Sequence, residues 1–275
     1  VSKVFVLDDG SSDSTAELIG QFKVDKLIGT QPPTGWLGKV WACHNLAQVG
    51  SGKYLVFIDA DVRLHPYAIA SAITKMNKFG WDFISPYPRQ ISGSFLEKLI
   101  QPLLQWSWLA SVPLRVAEKF PNRSMTIANG QFFIVKKSSL DVISGFQAIA
   151  TEVLDDMKLA RALIATGAHG GVADGSTLAQ TRMYKNFAEI KSGYGKSLWS
   201  AFSSPLGSLA AILFIFATGI APLLAWFSGN PIGLFTYQII VITRMISAKR
   251  SGGKVIDSFL HPISSAILIY LIIYS

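Results

Sequence analysis

The chain has 275 residues, half of them hydrophobic and only 15% charged, with a formal net charge of +8. That apolar content, concentrated after about Ser204, fits one globular domain plus a membrane part better than two soluble domains. No basic helix or Lys/Arg–aromatic stripe accompanies the charge, so no nucleic-acid partner is expected, and anionic lipid suits the basicity better. The single Cys43 excludes an internal disulfide and agrees with a reducing compartment.

Val4 to Leu7 reads as a short strand that runs into Asp8-Asp9-Gly10-Ser11-Ser12-Asp13. Ser14 to Phe22 has a Ser/Asp-rich start that suits helix capping. Leu27-Ile28 is a short apolar stretch, and Gln31 to Gly38 is a Pro/Gly loop. Lys39 to Val49 has helical spacing that Ser51-Gly52 ends. Tyr54 to Ile58 is apolar enough for the middle of a sheet, and it runs into Asp59-Ala60-Asp61. Pro66 to Phe79 reads as a helix, Asp82 to Ser85 as a strand, and Ile127 to Val135 as strand-like around Asn129-Gly130-Gln131. Glu152 to Ile164 is a helix that begins with acids. Alternating strands and helices predict an α/β fold with a mostly parallel sheet, whose ligands gather at the carboxyl ends of the strands. Phe95 to Val116 fits either a core helix or one lying in the membrane interface, and Pro102 and Pro113 count against a straight span.

Pro205 to Phe227 carries no charge. A helix of that length reaches roughly 35 Å, enough for a ~30 Å hydrocarbon core. Further apolar runs cover 232–247 and 259–274, with core helices of a large soluble fold as the alternative for all three. The predicted organisation is therefore a catalytic domain over 1–204 and a membrane region over 205–275. Lys249, Arg250 and Lys254 lie between the second and third runs, whereas Ser228 to Pro231 is uncharged. The positive-inside rule then places 248–258 and the domain before residue 205 in the cytoplasm, on a multi-pass inner-membrane protein.

Asp59 and Asp61 are two residues apart at a strand end, so both reach one side. Two carboxylates there call for a cation, and a hard divalent ion, Mg²⁺ or Mn²⁺, fits oxygen ligands and substrate phosphates. The alternative for the pair alone is a solvated turn or a helix cap. A haloacid-dehalogenase-type phosphatase also ends a strand in Asp-x-Asp, but it wants Thr or Val where Arg63 stands.

"VFVLDDGSSD" at Val4–Asp13 resembles the second strand and loop of glycosyltransferase family 2, which has the GT-A fold. "GWLGKVWACHNLAQVGSGKYLVFIDAD" at Gly35–Asp61 is similar to the family's stretch from donor-binding lysine to Asp-x-Asp. "ANGQFFIVKKSSLDVISGF" at Ala128–Phe146 resembles its acceptor-side strand, and "EVLDDMKLARAL" at Glu152–Leu163 its base-bearing helix. "RMYKNFAEIKSGYGKSLWSAF" at Arg182–Phe202, followed by apolar spans, resembles the membrane-bound branch that glycosylates carotenoid- or hopanoid-type lipids. The family begins one strand earlier, so the sequence is expected to be a fragment.

The resemblance implies a metal-dependent, inverting hexosyltransferase with a UDP-sugar donor and a lipid or carotenoid-like acceptor. It places Asp8 and Asp9 on the uracil and ribose, Lys39 on the nucleotide, and Asp59 on the ribose or metal. Asp61 would bind the metal, and Asp156 would be the base, tuned by Asp155. Gly130 and Gln131 come from the acceptor-side segment, and Arg182 and Tyr184 would contact diphosphate or acceptor. A non-catalytic, membrane-anchored nucleotide-sugar-binding module is the alternative. Trp36 and Trp41 are read as packing residues, and His44, His65, His169 and His261 as structural.

Overall fold

A computed structural model describes residues 1–202 and 204–275, so Ser203, beside the expected domain boundary, lies outside the described residues. The N-terminal part runs β1 (Phe5–Asp8), α1 (Thr15–Gly20), β2 (Asp25–Ile28), α2 (Gly38–Val49), β3 (Tyr54–Ile58), β4 (Val62–Leu64), α3 (Ala68–Phe79) and β5 (Phe83–Gln90). Then follow α4 (Phe95–Ser111), α5 (Leu114–Lys119), β6 (Phe132–Lys136), α6 (Lys137–Val142), α7 (Asp155–Ala165), β7 (Gly170–Thr181) and α8 (Phe187–Phe202). The C-terminal part is α9 (Pro205–Gly219), α10 (Ala221–Phe227), α11 (Pro231–Ser251) and α12 (His261–Tyr274).

The α/β class holds, and the sheet is mixed. β1 and β2 pair in parallel as a separate ribbon, and the main sheet has the order β3-β6-β5-β7-β4. Only β5–β7 is a parallel pair within it; β6 and β4 run against their neighbours. Helical crossovers predict parallel strands, but β4 follows β3 without a helix, and β6, although α4 and α5 precede it, runs antiparallel to both β3 and β5. β3 is an edge strand rather than a central one. Its apolar run has another cause: its residues pack on both faces. Leu55 and Phe57 join the core beside α2 and α7, while Tyr54 and Val56 join the core beside α3. β6 shows the same division, with Phe133 and Val135 on one side and Phe132 and Ile134 on the other, all four buried. β5 extends through Pro86 and Pro88 because β6 pairs only with Phe83 and Ile84, so neither proline interrupts a two-sided ladder.

α4 opens with a capping box. Ser94 Oγ accepts from Glu97 N at 3.3 Å, and Glu97 Oε1 accepts from Ser94 N at 3.0 Å. The helix passes through Pro102 and buries one face on α8 and α12 through Leu99, Ile100, Leu103, Ile190, Tyr194 and Leu271.

Three helices are long and apolar enough to cross a membrane: Pro205–Phe227, Pro231–Ser251 and Val255–Tyr274. The first is broken at Ile220, where Pro222 removes a helix hydrogen-bond donor. Gly233 meets Pro222 and Trp226 closely enough that a Cβ would lie 2.5 Å from their backbones, so α10 and α11 form a tight hairpin. The end of α9 lies against the start of α12, with Gly219 on Ser265, while Ser275 Oγ accepts from Trp199 N at 2.8 Å near the start of α9. α9 and α12 are therefore antiparallel. Strict in–out–in alternation would make them parallel, so that simple path does not describe the packing. The charged end of α11 touches the main sheet: Ser176 Oγ of β7 donates to Arg250 O at 3.1 Å.

Candidate active site

The carboxyl end of β3 delivers Asp59, and its backbone N–H donates to Gln131 O at 3.1 Å, just ahead of β6. The first turn of α7 brings Asp155 and Asp156, where the helix dipole favours negative charge. The first turn of α2 brings Lys39 between them. Its Nζ lies 3.2 Å from Asp59 Oδ2 and 3.8 Å from Asp155 Oδ2. Burial disfavours charge on Lys39, but Asp155 and Asp59 outweigh that and hold its pKa above the usual lysine value.

Asp156 Oδ2 accepts from Gly130 N at 2.8 Å and Oδ1 from Met157 N at 2.7 Å. Burial, then repulsion from Asp155, pushes its pKa up to about 6; the two N–H donors and Lys39 act the other way. Gly130 is held close: a Cβ there would lie 3.3 Å from both Lys39 Nζ and Asp156 Cβ. Asp59 is also raised, first by burial, against the pull of Lys39.

Asp61 is exposed and accepts from Thr181 Oγ1 at 2.8 Å through Oδ2. No cluster of three or more His, Cys, Asp or Glu poised for a metal occurs among the described residues. Asp9 reaches the start of α2, where its Oδ2 would lie 3.8 Å from a Cβ on Gly38. Asp8 is tied into its own turn by Ser11 N at 3.0 Å and Lys26 Nζ at 3.5 Å, and the Ser11 bonds lead in holding its pKa low. Gln131 is buried; its N donates to Asn129 Oδ1 at 3.0 Å, and its Oε1 accepts from Gln90 Nε2 at 2.8 Å.

Two expected site residues sit elsewhere. Arg182 forks onto buried Glu97 at 3.1 and 3.2 Å and lies directly against Gly93. Burial alone would raise Glu97, but Arg182, Ser94 and Gly93 hold it down at about 2. Tyr184 lies against Gly193 and Tyr194 of α8, a packing position. In both cases local sequence reads as a recognition motif, while the partners come from α4 and α8. Trp36, Trp41 and His44 form one aromatic cluster with centroids 5.0 to 5.4 Å apart.

The sequence reading did not identify Thr181, Cys43 or Ser85. Thr181 meets Asp61 only through the β4–β7 pairing, which the strand pattern did not announce. Cys43 stands one helical turn after Lys39, and burial, then Asp155, pushes its thiol up to about 12, so it is a packed thiol. Ser85 orders the approach to Gly130, donating to Asn129 O at 3.0 Å and accepting from Asn129 N at 2.8 Å.

Residues 2–144, just over half of the chain, match the sequence family described as Glycosyl transferase family 2. The chain belongs to glycosyl transferase family 2. A similar curated relative is the 4,4'-diaponeurosporenoate glycosyltransferase of Staphylococcus haemolyticus, 24% identical over 243 residues. That alignment covers 84% of this chain and 61% of the relative, so the chain spans under two thirds of its length. Among solved structures, glucosyl-3-phosphoglycerate synthase from Mycobacterium tuberculosis, in complex with Mn²⁺ and UDP-glucose, shares 18% identity. It covers 74% of this chain and 68% of its own, with a TM-score of 0.46. A mannosyltransferase from Pyrobaculum calidifontis, in complex with GDP-Man and Mn²⁺, shares 14% identity over 99% of this family member and 75% of its own chain, with a TM-score of 0.49.

Proposed function

We propose that this family 2 member is a membrane-anchored, inverting glycosyltransferase. It moves a sugar from a UDP-sugar to a hydroxyl or carboxyl of a lipid-like acceptor at the cytoplasmic membrane face. The observation that carries the reading is Asp156: a half-buried carboxylate raised to about 6, beside a lysine that bridges Asp59 and Asp155. The relative's name supports a lipid-like acceptor. The apolar C-terminal helices support the membrane setting.

In this reading residues 1–204 form the catalytic unit and 205–275 the membrane anchor. Asp8 and Asp9 contact the nucleoside, and Lys39 offers its charge to the diphosphate. Gly130 and Gln131 shape the floor on which donor and acceptor meet. Asp156 carries two N–H bonds, one on each oxygen, leaving lone pairs for an acceptor hydroxyl. It takes the hydroxyl proton as the acceptor oxygen bonds to the anomeric carbon from the face opposite UDP. The bond from that carbon to the UDP oxygen breaks, and the configuration inverts. Asp155 keeps Asp156 basic near neutral pH by like-charge repulsion. Arg182 commits its fork to Glu97 and so acts by holding the capped start of α4. Tyr184 would act through packing.

Asp59 and Asp61 fit a hard divalent ion, Mg²⁺ or Mn²⁺. They offer oxygen ligands only, Asp61 is exposed, and its Oδ1 has no partner among the described residues. Such ions take one or two carboxylates and fill the remaining positions with phosphate oxygens and water. When bound, the ion would offset the charge that builds on the leaving diphosphate.

Lys39→Met removes a cation that lowers the Asp156 pKa. The acid limb of its pH–rate profile should then move to higher pH. An unchanged limb would mean that Lys39 does not face the working base. Release of UDP from a radiolabelled UDP-sugar tests the proposal against the binding-module alternative. Acceptor-dependent release supports transfer, whereas saturable binding of the UDP-sugar without turnover favours the module.

A further inference from the structure

Phe83, Ser85 and Tyr87 stand two residues apart on β5, so their side chains share one face of the sheet. Phe83 packs in the core beside α2 and α7. Ser85 Oγ bonds both the N–H and the carbonyl of Asn129, and the next residue, Gly130, gives its N–H to Asp156. Tyr87 is the third of the row. Its ring lies 5.4 Å from that of Trp108 on α4, and Ile127, three residues before Gly130, packs against the same cluster.

Tyr87 is only 3% exposed. A buried tyrosine usually finds a hydrogen-bond partner for its hydroxyl. This hydroxyl has none among the described residues. Nor is it sealed: the fully enclosed unpaired side-chain atoms there belong to His44, Gln101, Arg161 and Ser264, so the Tyr87 hydroxyl opens onto space that water can enter. Burial, then repulsion from the Asp156 carboxylate, holds its pKa above the ordinary phenol value, so it stays a donor at neutral pH. It is also within electrostatic reach of Tyr194 on α8, whose ring packs with Leu99, Leu103 and Leu271 of α4 and α12.

Asp156 as a carboxylate only accepts, and Tyr87 has a proton to give. An acceptor hydroxyl has one proton and two lone pairs. Its proton goes to Asp156, one lone pair bonds to the anomeric carbon, and the other is left for a donor. A carboxyl acceptor attacks with one oxygen and leaves its second for the same donor. We propose that the Tyr87 hydroxyl donates a hydrogen bond to an oxygen of the acceptor's polar end, hydroxyl or carboxyl, and so sets that end against Asp156. This deepens the transferase reading and rests on it.

Tyr87→Phe removes the hydroxyl and keeps the ring on Trp108. The test measures transfer from a radiolabelled UDP-sugar by the full chain in neutral detergent, with hexadecanol or hexadecanoic acid as the acceptor. The acceptor KM should rise by about three- to tenfold, the range of one lost hydrogen bond, while the donor KM keeps its value. A larger rise with the acid would assign the bond to a charged oxygen, since such bonds are stronger, and an equal rise would assign it to either kind of oxygen. The melting temperature should not fall, because no protein partner is lost. An active wild type whose acceptor KM is unchanged in Tyr87→Phe, a donor KM that rises in step with it, or a melting temperature lowered by several degrees overturns the proposal. If the wild type turns over neither probe, the transferase reading loses support, and retention of hexadecanoic acid, counted by native mass spectrometry, decides for Tyr87. Weaker retention in Tyr87→Phe supports the contact, and equal retention overturns it.

Discussion

Asp156→Asn lowers kcat with a hydroxyl acceptor by about 10²- to 10⁴-fold, the range of a lost general base. Donor affinity should hardly change, because the amide occupies the same volume beside Gly130 and Met157. The base works only as a carboxylate, and its folded pKa is raised to about 6. Wild-type activity should therefore fall as pH drops below about 6, and the residual activity of the variant should lack that limb. A carboxylic acid acceptor arrives ionised and has no proton to give up, so it would soften the loss. The size of the Asp156→Asn defect thus reports on acceptor chemistry as well as on the base. Steady-state kinetics from pH 5 to pH 8 with each acceptor class would read both, and a variant at wild-type rate with a hydroxyl acceptor would remove Asp156 from the chemistry.

Asp61→Asn carries the second large effect. The amide can still accept from Thr181 Oγ1, so β4 and β7 keep their contact and the fold should survive. The ligand charge is lost at the exposed end of the pair. An ion that offsets diphosphate charge supplies several kcal/mol, so kcat/KM should fall by about 10³-fold or more. Chelation of divalent ions should bring the wild type to a similar level, and excess Mn²⁺ should restore the wild type but not the variant. A wild type that keeps full rate in chelator would dismiss metal dependence, and an Asp61→Asn enzyme at full rate would dismiss this ligand.

Much of the fold could be read where short-range physics decides. β3 was bounded correctly because apolar residues run straight into carboxylates, and α2 because glycine-containing loops flank it. β4 and β7 escaped detection. β7 is built from Gly170-Gly171, Asp174-Gly175 and Ser176, residues with poor strand propensity that are held by the parallel partner β5. Gly170 lies directly on Phe83, so what reads as a loop signal is a close strand contact. The central position expected for β3 was wrong for a related reason: an apolar strand can be packed on both faces and still be an edge.

At the site, the sequence nominated Asp59, Lys39, Asp155, Asp156 and Gly130 separately, and the structure brings them together. Nothing in the local sequence around Arg182 indicates that Glu97, 85 residues earlier, claims its fork. The positions of Thr181 against Asp61 and Tyr184 against α8 likewise depend on long-range pairing. In the C-terminal part, hydropathy found the apolar helices but not their directions. Those follow from small-residue contacts such as Gly219 on Ser265, which leave no mark on a hydropathy scale.

Transfer of a radiolabelled sugar to extractable lipid is the most direct test. Membranes carrying the full-length protein would be supplied with a UDP-sugar and Mn²⁺ or Mg²⁺, beside membranes carrying Asp156→Asn. The proposed function predicts labelled lipid with inverted anomeric configuration in the first and little or none in the second. Labelled lipid of equal amount in both, or none in either across a panel of UDP-sugars that the protein nonetheless binds, would contradict it.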